Sequence, residues 1–208
     1  MQSSLSGFLS AALAACALAG CTDASTPSVD EIRAATGKYR SVEAALADGY
    51  VRDPLDACET PYHLGIFENL GAMGVHFWRP DLLGVGEDGT RLDATGTHTD
   101  FLSPAILVYE PQPDSVLELV AVANVVSARA WDAAGNEDPP SLGSVPFTYR
   151  PDDPGTAYPA HYDLHVWAFR DNPSGVFAPY NPAVTCAHHE FNMPMIMPPD
   201  MPPDMIHH

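Results

Sequence analysis

The sequence predicts an α+β fold: an antiparallel β-sheet with a barrel-like core, N-terminal helices packed on it, and a disulfide bond that staples the domain. Three observations lead to this prediction. First, helix-capping signals occur near the start of the chain; second, short β-rich runs separated by Pro, Gly and Asp follow them. Third, hydrophobic residues make up 46% of the 208 residues, which is enough for the core of one domain. We place this domain at residues 28–187.

Two helices are expected before residue 50. Ser28 and Glu31 match a capping box, which predicts a helix from there to about residue 40. Ser41 can cap a second helix over residues 42–48, and Gly49 is placed to end it.

Strands are expected at residues 74–78, 105–109, 116–127, 147–150 and 161–169, with residues 110–114 as a hairpin connection. Long polar segments at residues 82–103 and 129–160 are rich in Gly, Pro and Asp. Such loops are typical of segments that frame a site or cover a sheet edge.

The first twenty residues carry no charged side chain and lead into Leu18-Ala19-Gly20-Cys21, which resembles the lipobox of bacterial lipoproteins. The resemblance implies a signal peptide at residues 1–20, a lipid on Cys21 and a short tether at residues 21–27. Thr22 and Asp23 favour anchoring to the outer membrane, with the domain in the periplasm. The usual Lys/Arg segment is missing, and simple secretion or a misplaced start codon are the alternatives.

The charge balance excludes nucleic acid as a partner. Acidic residues outnumber basic ones 27 to 9, a net charge of −18, which repels a phosphate backbone and attracts cations. No P-loop, GxGxxG or HExxH pattern occurs, so no nucleotide cofactor is expected. No GxSxG elbow occurs either, which lowers the expectation of a nucleophilic enzyme.

Two cysteines, Cys58 and Cys186, remain for the folded domain. Export places them in an oxidising compartment, where such a pair usually forms a disulfide. Two separate buried thiols, or a copper site that uses one of them, are the other interpretations.

The sharpest chemical motif is the run from His161 to Trp167. In a strand, His161, Asp163 and His165 share one face, and His76 on another strand is the obvious third imidazole. Imidazole and carboxylate groups at this spacing suit a first-row metal such as copper or zinc. The alternative is structural: Asp163 orients His165, and His76 is a core histidine.

Residues 188–208 predict a flexible extended tail, because repeated Met-Pro-Pro-Asp prevents both helix and central strand. Thioether sulfur suits Cu(I), and imidazole suits Cu(II) or zinc. The tail could therefore capture metal, or it could be a low-complexity extension with no fixed role. The candidate ligands are His188, His189, Met193, Met195 and Met197.

The central region, about residues 40–187, resembles a family of uncharacterised exported bacterial proteins. The resemblance rests on Gly74-Val75-His76-Phe77, on the run His161–Trp167, and on residues 172–186 as far as Cys186. It implies a secreted or lipid-anchored β-rich domain with recurring histidines, and it supplies no reaction. Members of that family tend to carry an acidic residue in the strand where this chain has Ala123-Asn124. If that acid completes a metal or acid/base site in the family, this chain lacks part of the site.

Taken together, these patterns predict a lipid-anchored envelope protein that binds a transition metal, with copper favoured, through its clustered histidines and its tail. One alternative is an enzyme, metal-dependent or using His and Asp as acid and base, that acts on a small organic molecule. The other is a structural or interaction module of the envelope.

Overall fold

The computed structural model describes residues 26–54, 56–61, 70–84, 95–152 and 159–190. The expected signal peptide, Cys21 and the tail methionines Met193, Met195 and Met197 lie outside these residues.

The two N-terminal helices begin at the serines that the sequence indicated. Helix α1 (Val29–Thr36) starts at Ser28, whose hydroxyl accepts a hydrogen bond from the Glu31 backbone while Glu31 accepts one from the Ser28 backbone. This reciprocal pair is the expected capping box. A 3₁₀ turn (Gly37–Arg40) leads into α2 (Val42–Ala47), which the Ser41 side chain caps. Both helix predictions are therefore confirmed.

Seven strands form one sheet in which every neighbouring pair is antiparallel. The order is β1-β3-β4-β5-β9-β8, and β2 also pairs with β3. These strands are β1 (Val51–Arg52), β2 (Cys58–Glu59), β3 (Gly74–Trp78), β4 (Ile106–Pro111), β5 (Leu117–Ser127), β8 (Thr148–Arg150) and β9 (His161–Val166). A separate hairpin and two short helices complete the described elements: β6 (Ser141–Leu142), β7 (Val145–Pro146), α3 (Pro80–Leu83) and α4 (Ala128–Ala133).

The α+β fold with an antiparallel sheet is confirmed, but the expectation of a barrel-like core is wrong, because the sheet is not closed. Strands β1 and β2 follow the outer edge of β3, and β8 forms the opposite edge. Closure would require hydrogen bonds between these edges. No such pairing joins them in the described part of the chain.

Strand β9 ends earlier than expected, at Val166 and not at residue 169. After Val166 the ladder is interrupted, because the Trp167 N–H donates to the carbonyl of Val176 in the turn that follows, although the Phe169 N–H still donates to the Val120 carbonyl on β5. The expected strand at residues 147–150 is confirmed as β8, and the rest of the segment 129–160, expected as a loop, contains most of α4 and the β6–β7 hairpin.

One face of the sheet packs against the N-terminal helices. The Tyr109 hydroxyl on β4 donates to the backbone oxygen of Tyr39 at 2.7 Å, and the Tyr109 ring lies 5.0 Å from that of Phe77 on β3. Aromatic side chains of this size bury large apolar areas, so this face forms the main core.

The predicted disulfide is confirmed. Cys58 on β2 is bonded to Cys186, with their Cα atoms 5.6 Å apart and a sequence separation of 128. The bond ties the short edge strand β2 to the segment that follows β9.

The start of the described chain lies against the β6–β7 hairpin. Gly143, in the turn of this hairpin, has φ +59°, and a Cβ atom added to it would come within 2.9 Å of the Thr26 hydroxyl. Glycine therefore allows both the turn and the close approach of Thr26.

Candidate functional site

Polar side chains gather on the sheet face opposite the helices. The register places Trp78, Ile106, Ala123 and His165 in one row across β3, β4, β5 and β9. Side chains of directly paired residues project from the same face, as do residues two apart on one strand. His76, two residues before Trp78, and Asp163, two before His165, therefore share this face.

His76 and His165 come together although two strands separate them. Their ring centroids lie 6.2 Å apart with the rings at 72°. Strands are spaced by about 4.8 Å, so three spacings in a flat sheet would put β3 and β9 about 14 Å apart. The sheet must bend strongly towards this face, and the alanines Ala121 and Ala123 on the intervening β5 leave room for the rings.

Glu59 is the third member of this group. Its partner in the β2–β3 register is Gly74, so Glu59 shares the face of His76, and its Oε1 lies 3.6 Å from His76 Nδ1. That nitrogen is buried and has no hydrogen-bond partner in the described residues. Since Glu59 directly follows Cys58, the disulfide fixes the strand that carries it.

Asp163 is held by an arginine. Arg150 on β8 donates from Nε to both carboxylate oxygens of Asp163, at 3.2 and 3.4 Å. The Asp163 side chain is 10% exposed and that of Arg150 is 26% exposed, so the pair lies partly shielded from water. The interaction joins β8 to β9, so Asp163 has a structural role.

Six residues make up what we call the polar cluster. Burial lowers the pKa of His165 to about 4, against the opposing effect of the Asp163 and Glu59 carboxylates. The imidazole is therefore neutral at pH 7 and can offer a nitrogen lone pair. The cluster also holds two carboxylates and one guanidinium. Its members are Glu59, His76, Arg150, Asp163, His165 and Tyr180.

His161 lies at the opposite end of β9 from His165. It begins β9, pairs with Arg150 and Ser127, and its Nδ1 lies 2.8 Å from the backbone oxygen of Pro159. Four residues of strand separate it from His165, which amounts to about 13 Å. Of the three histidines singled out from the sequence, the structure therefore joins His76 and His165.

The two histidines at the start of the expected tail differ from each other. His188 is exposed, whereas His189 is half-buried and its Nε2 lies 2.5 Å from the backbone oxygen of Asp56. His189 thus packs on the domain.

Sequence reasoning missed three members of the cluster. Glu59 is one of many acidic residues, and its only local signal is the cysteine before it. Arg150 lies in a strand that was expected, but its contact with Asp163 depends on the β8–β9 register. Tyr180 stands before Asn181 and Pro182, a pattern typical of a turn and not of a binding site.

The distances can be compared with those of a metal site. A tetrahedral ion with ligand bonds of about 2.1 Å separates two ligand atoms by about 3.4 Å and two imidazole centroids by about 5.3 Å. The observed 3.6 Å from His76 Nδ1 to Glu59 Oε1 lies close to the first value, whereas the 6.2 Å between the rings is longer than the second, so the two rings would have to move closer together to share an ion. Among the described residues, no group of three or more His, Cys, Asp and Glu side chains is arranged so that it could hold a metal ion.

None of the helices in the described ranges is long and apolar enough to span a bilayer. Comparison with known proteins finds no family model, no curated protein and no solved structure that matches this chain.

Proposed function

We propose that this protein binds a transition-metal ion, with copper favoured, at His76, His165 and Glu59. The observation that carries the proposal is the approach of two buried imidazoles from separate strands to 6.2 Å, beside a carboxylate. A buried polar atom without a partner calls for an explanation, and a missing ion is one of the usual ones. The orphaned Nδ1 of His76 faces Glu59, where an ion would satisfy it.

The chemistry of the cluster supports a cation. Two imidazole nitrogens and one carboxylate oxygen form a donor set that suits Cu(II) and Zn(II), and Cu(II) binds such sites more tightly than the other first-row divalent ions. The low pKa of His165 keeps its nitrogen available at neutral pH. The net charge of −18 attracts positive ions.

Metal analysis and competition titration of untagged, full-length protein test this proposal. We expect one copper or zinc ion per chain at this site, and loss of at least tenfold in affinity in His76→Gln and in His165→Gln, about the scale on which metal-site residues act. His98→Gln is the matched control, because the His98 ring contacts the Ser103 backbone oxygen outside the cluster. Wild-type affinity in both cluster variants would refute the site.

Lipid anchoring at Cys21 and export to the periplasmic face of the outer membrane belong to the same proposal, and the lipobox-like sequence supports them. An anchored domain would hold its ion at the membrane, and the Met/His tail would add capture capacity. Cys21→Ala should move the protein from the membrane fraction to the soluble fraction. Unchanged fractionation would contradict the anchor without bearing on the metal site.

A further inference from the structure

A solvent-open cavity of about 530 Å³ lies between the end of the 3₁₀ turn and the start of β5. Volumes of this order are typical of sites that bind small molecules. The cavity walls combine apolar and charged side chains, so they offer both apolar contact and charge. Among the lining residues are Arg40, Asp114, Val116, Leu117, Glu118 and Leu119.

The apolar wall of this cavity faces away from the polar cluster. The β4–β5 register shifts between Val108 and Tyr109, which gives β5 one extra residue, Val120. Because of this bulge, Leu119, the partner of Tyr109, projects to the face that packs against the N-terminal helices. The Tyr109 hydroxyl donates to the backbone oxygen of Tyr39, and this bond fixes the 3₁₀ turn beside the strand.

The cavity exists because β5 is longer than its neighbour. The register of β5 with β9 stops at the pair of Val122 and Val166, and the Phe169 N–H then donates to the Val120 carbonyl. Residues 117–119 continue past this point. Val116, just before the strand, is 55% exposed, so an apolar side chain stands at the mouth of the cavity.

Arg40 is the cationic side chain that lines the cavity. Its guanidinium lies over the Phe169 ring, with Cζ 5.0 Å from the ring centroid. Within the described ranges this guanidinium makes no hydrogen bond or ion pair, whereas that of Arg170 pairs with Glu118. Since acidic residues exceed basic ones 27 to 9, an arginine without a carboxylate partner is an exception in this chain. Stacking on the ring orients the guanidinium plane and leaves its N–H edge available for a planar carboxylate.

The acidic lining restricts which carboxylates can bind. Asp114 accepts a hydrogen bond from the Val116 backbone at 3.3 Å, and Glu118 pairs with Arg170 at 3.0 Å. These carboxylates and the net charge of −18 repel a simple anion. A ligand that carries an ammonium group as well as a carboxylate is not repelled, because its net charge is zero and its ammonium group can approach Asp114.

We propose that this cavity binds a small zwitterion with an apolar body, either an apolar amino acid or a dipeptide. The ligand carboxylate pairs with Arg40, its ammonium group pairs with Asp114, and its apolar part packs on Val116 and Leu119. The inference is independent of the proposed metal site, because it uses none of the residues of that site.

Isothermal titration calorimetry of the full-length protein with L-leucine and with L-leucyl-L-leucine tests this inference. We expect at least one of them to bind with a Kd below about 1 mM, and the tighter of the two identifies the length of the ligand. In Arg40→Gln its Kd should rise at least tenfold, the scale of one hydrogen bond between charged groups. Arg129→Gln is the matched control, because Arg129 is likewise exposed and has no carboxylate partner in the part of the chain that the structure describes.

A second comparison uses only the wild type. The N-acetyl derivative of the ligand loses the ammonium charge, and the C-terminal amide loses the carboxylate. Each should bind at least tenfold more weakly than the zwitterion. Binding of neither zwitterion, an equal Kd in wild type and Arg40→Gln, or equal affinity for either derivative would overturn the inference, and none of these results would bear on metal binding.

Discussion

Removal of the Cys58–Cys186 disulfide should destabilise the domain severely. The bond closes a loop with a sequence separation of 128. For a loop of this length, the loss of chain entropy in the unfolded state corresponds to about 5 kcal/mol at 25 °C. A domain of this size is stable by only about 5–15 kcal/mol, so the disulfide would supply a large share of the free energy of unfolding.

The double variant Cys58→Ala/Cys186→Ala tests this magnitude without placing new hydroxyl groups at two buried positions. Equilibrium urea unfolding should show a free energy of unfolding lower by about 5 kcal/mol, with a matching fall in the midpoint. Reductant should bring the wild type close to the variant and leave the variant unchanged. A difference below about 1 kcal/mol would refute the loop-closure reasoning.

Three further predictions concern the cluster and the tail. Because the pKa of His165 is lowered to about 4 in the fold and is near 6.5 when unfolded, the metal-free protein should lose about 3 kcal/mol of stability as pH falls from above 6.5 to 4. Urea unfolding across this pH range should show a weaker pH dependence in His165→Gln, and an equal dependence would contradict this prediction. Ala123→Glu places a carboxylate opposite His165, so it should lower the thermal midpoint of the metal-free protein, measured by calorimetry. It should also raise copper affinity at least tenfold, measured by competition titration. An unchanged affinity would contradict the register. Deletion of residues 191–208 should reduce the number of copper ions bound per chain and preserve the thermal midpoint. Deletion of residues 188–208 should lower the thermal midpoint as well, because it removes the contact of His189 with Asp56.

Local signals predicted the helices and the longer strands. The capping box at Ser28 and Glu31 requires only four residues to be recognised, and β3 was bounded correctly because Gly and Pro flank an apolar run. Strands β1 and β2 contain two residues each, which is too short for any periodic pattern to be visible.

The candidate site depended on long-range geometry that no local pattern contains. The sequence placed His165 and Asp163 on one strand face, but the approach of His76 requires the sheet to bend across β4 and β5. Glu59 reaches His76 because a disulfide partner more than a hundred residues away holds β2 in register. A barrel-like core was expected because strand patterns alone do not distinguish an open, strongly bent sheet from a closed barrel.

The close approach of Thr26 to the turn at Gly143 would determine which part of the domain lies near a bilayer when Cys21 carries a lipid. Five residue steps separate Cys21 from Thr26, and even a fully extended chain of this length reaches only about 17 Å. With an acyl chain on Cys21, the β6–β7 hairpin would stay within two nanometres of the lipid headgroups. This hairpin would then be a part of the domain that lies near the membrane surface.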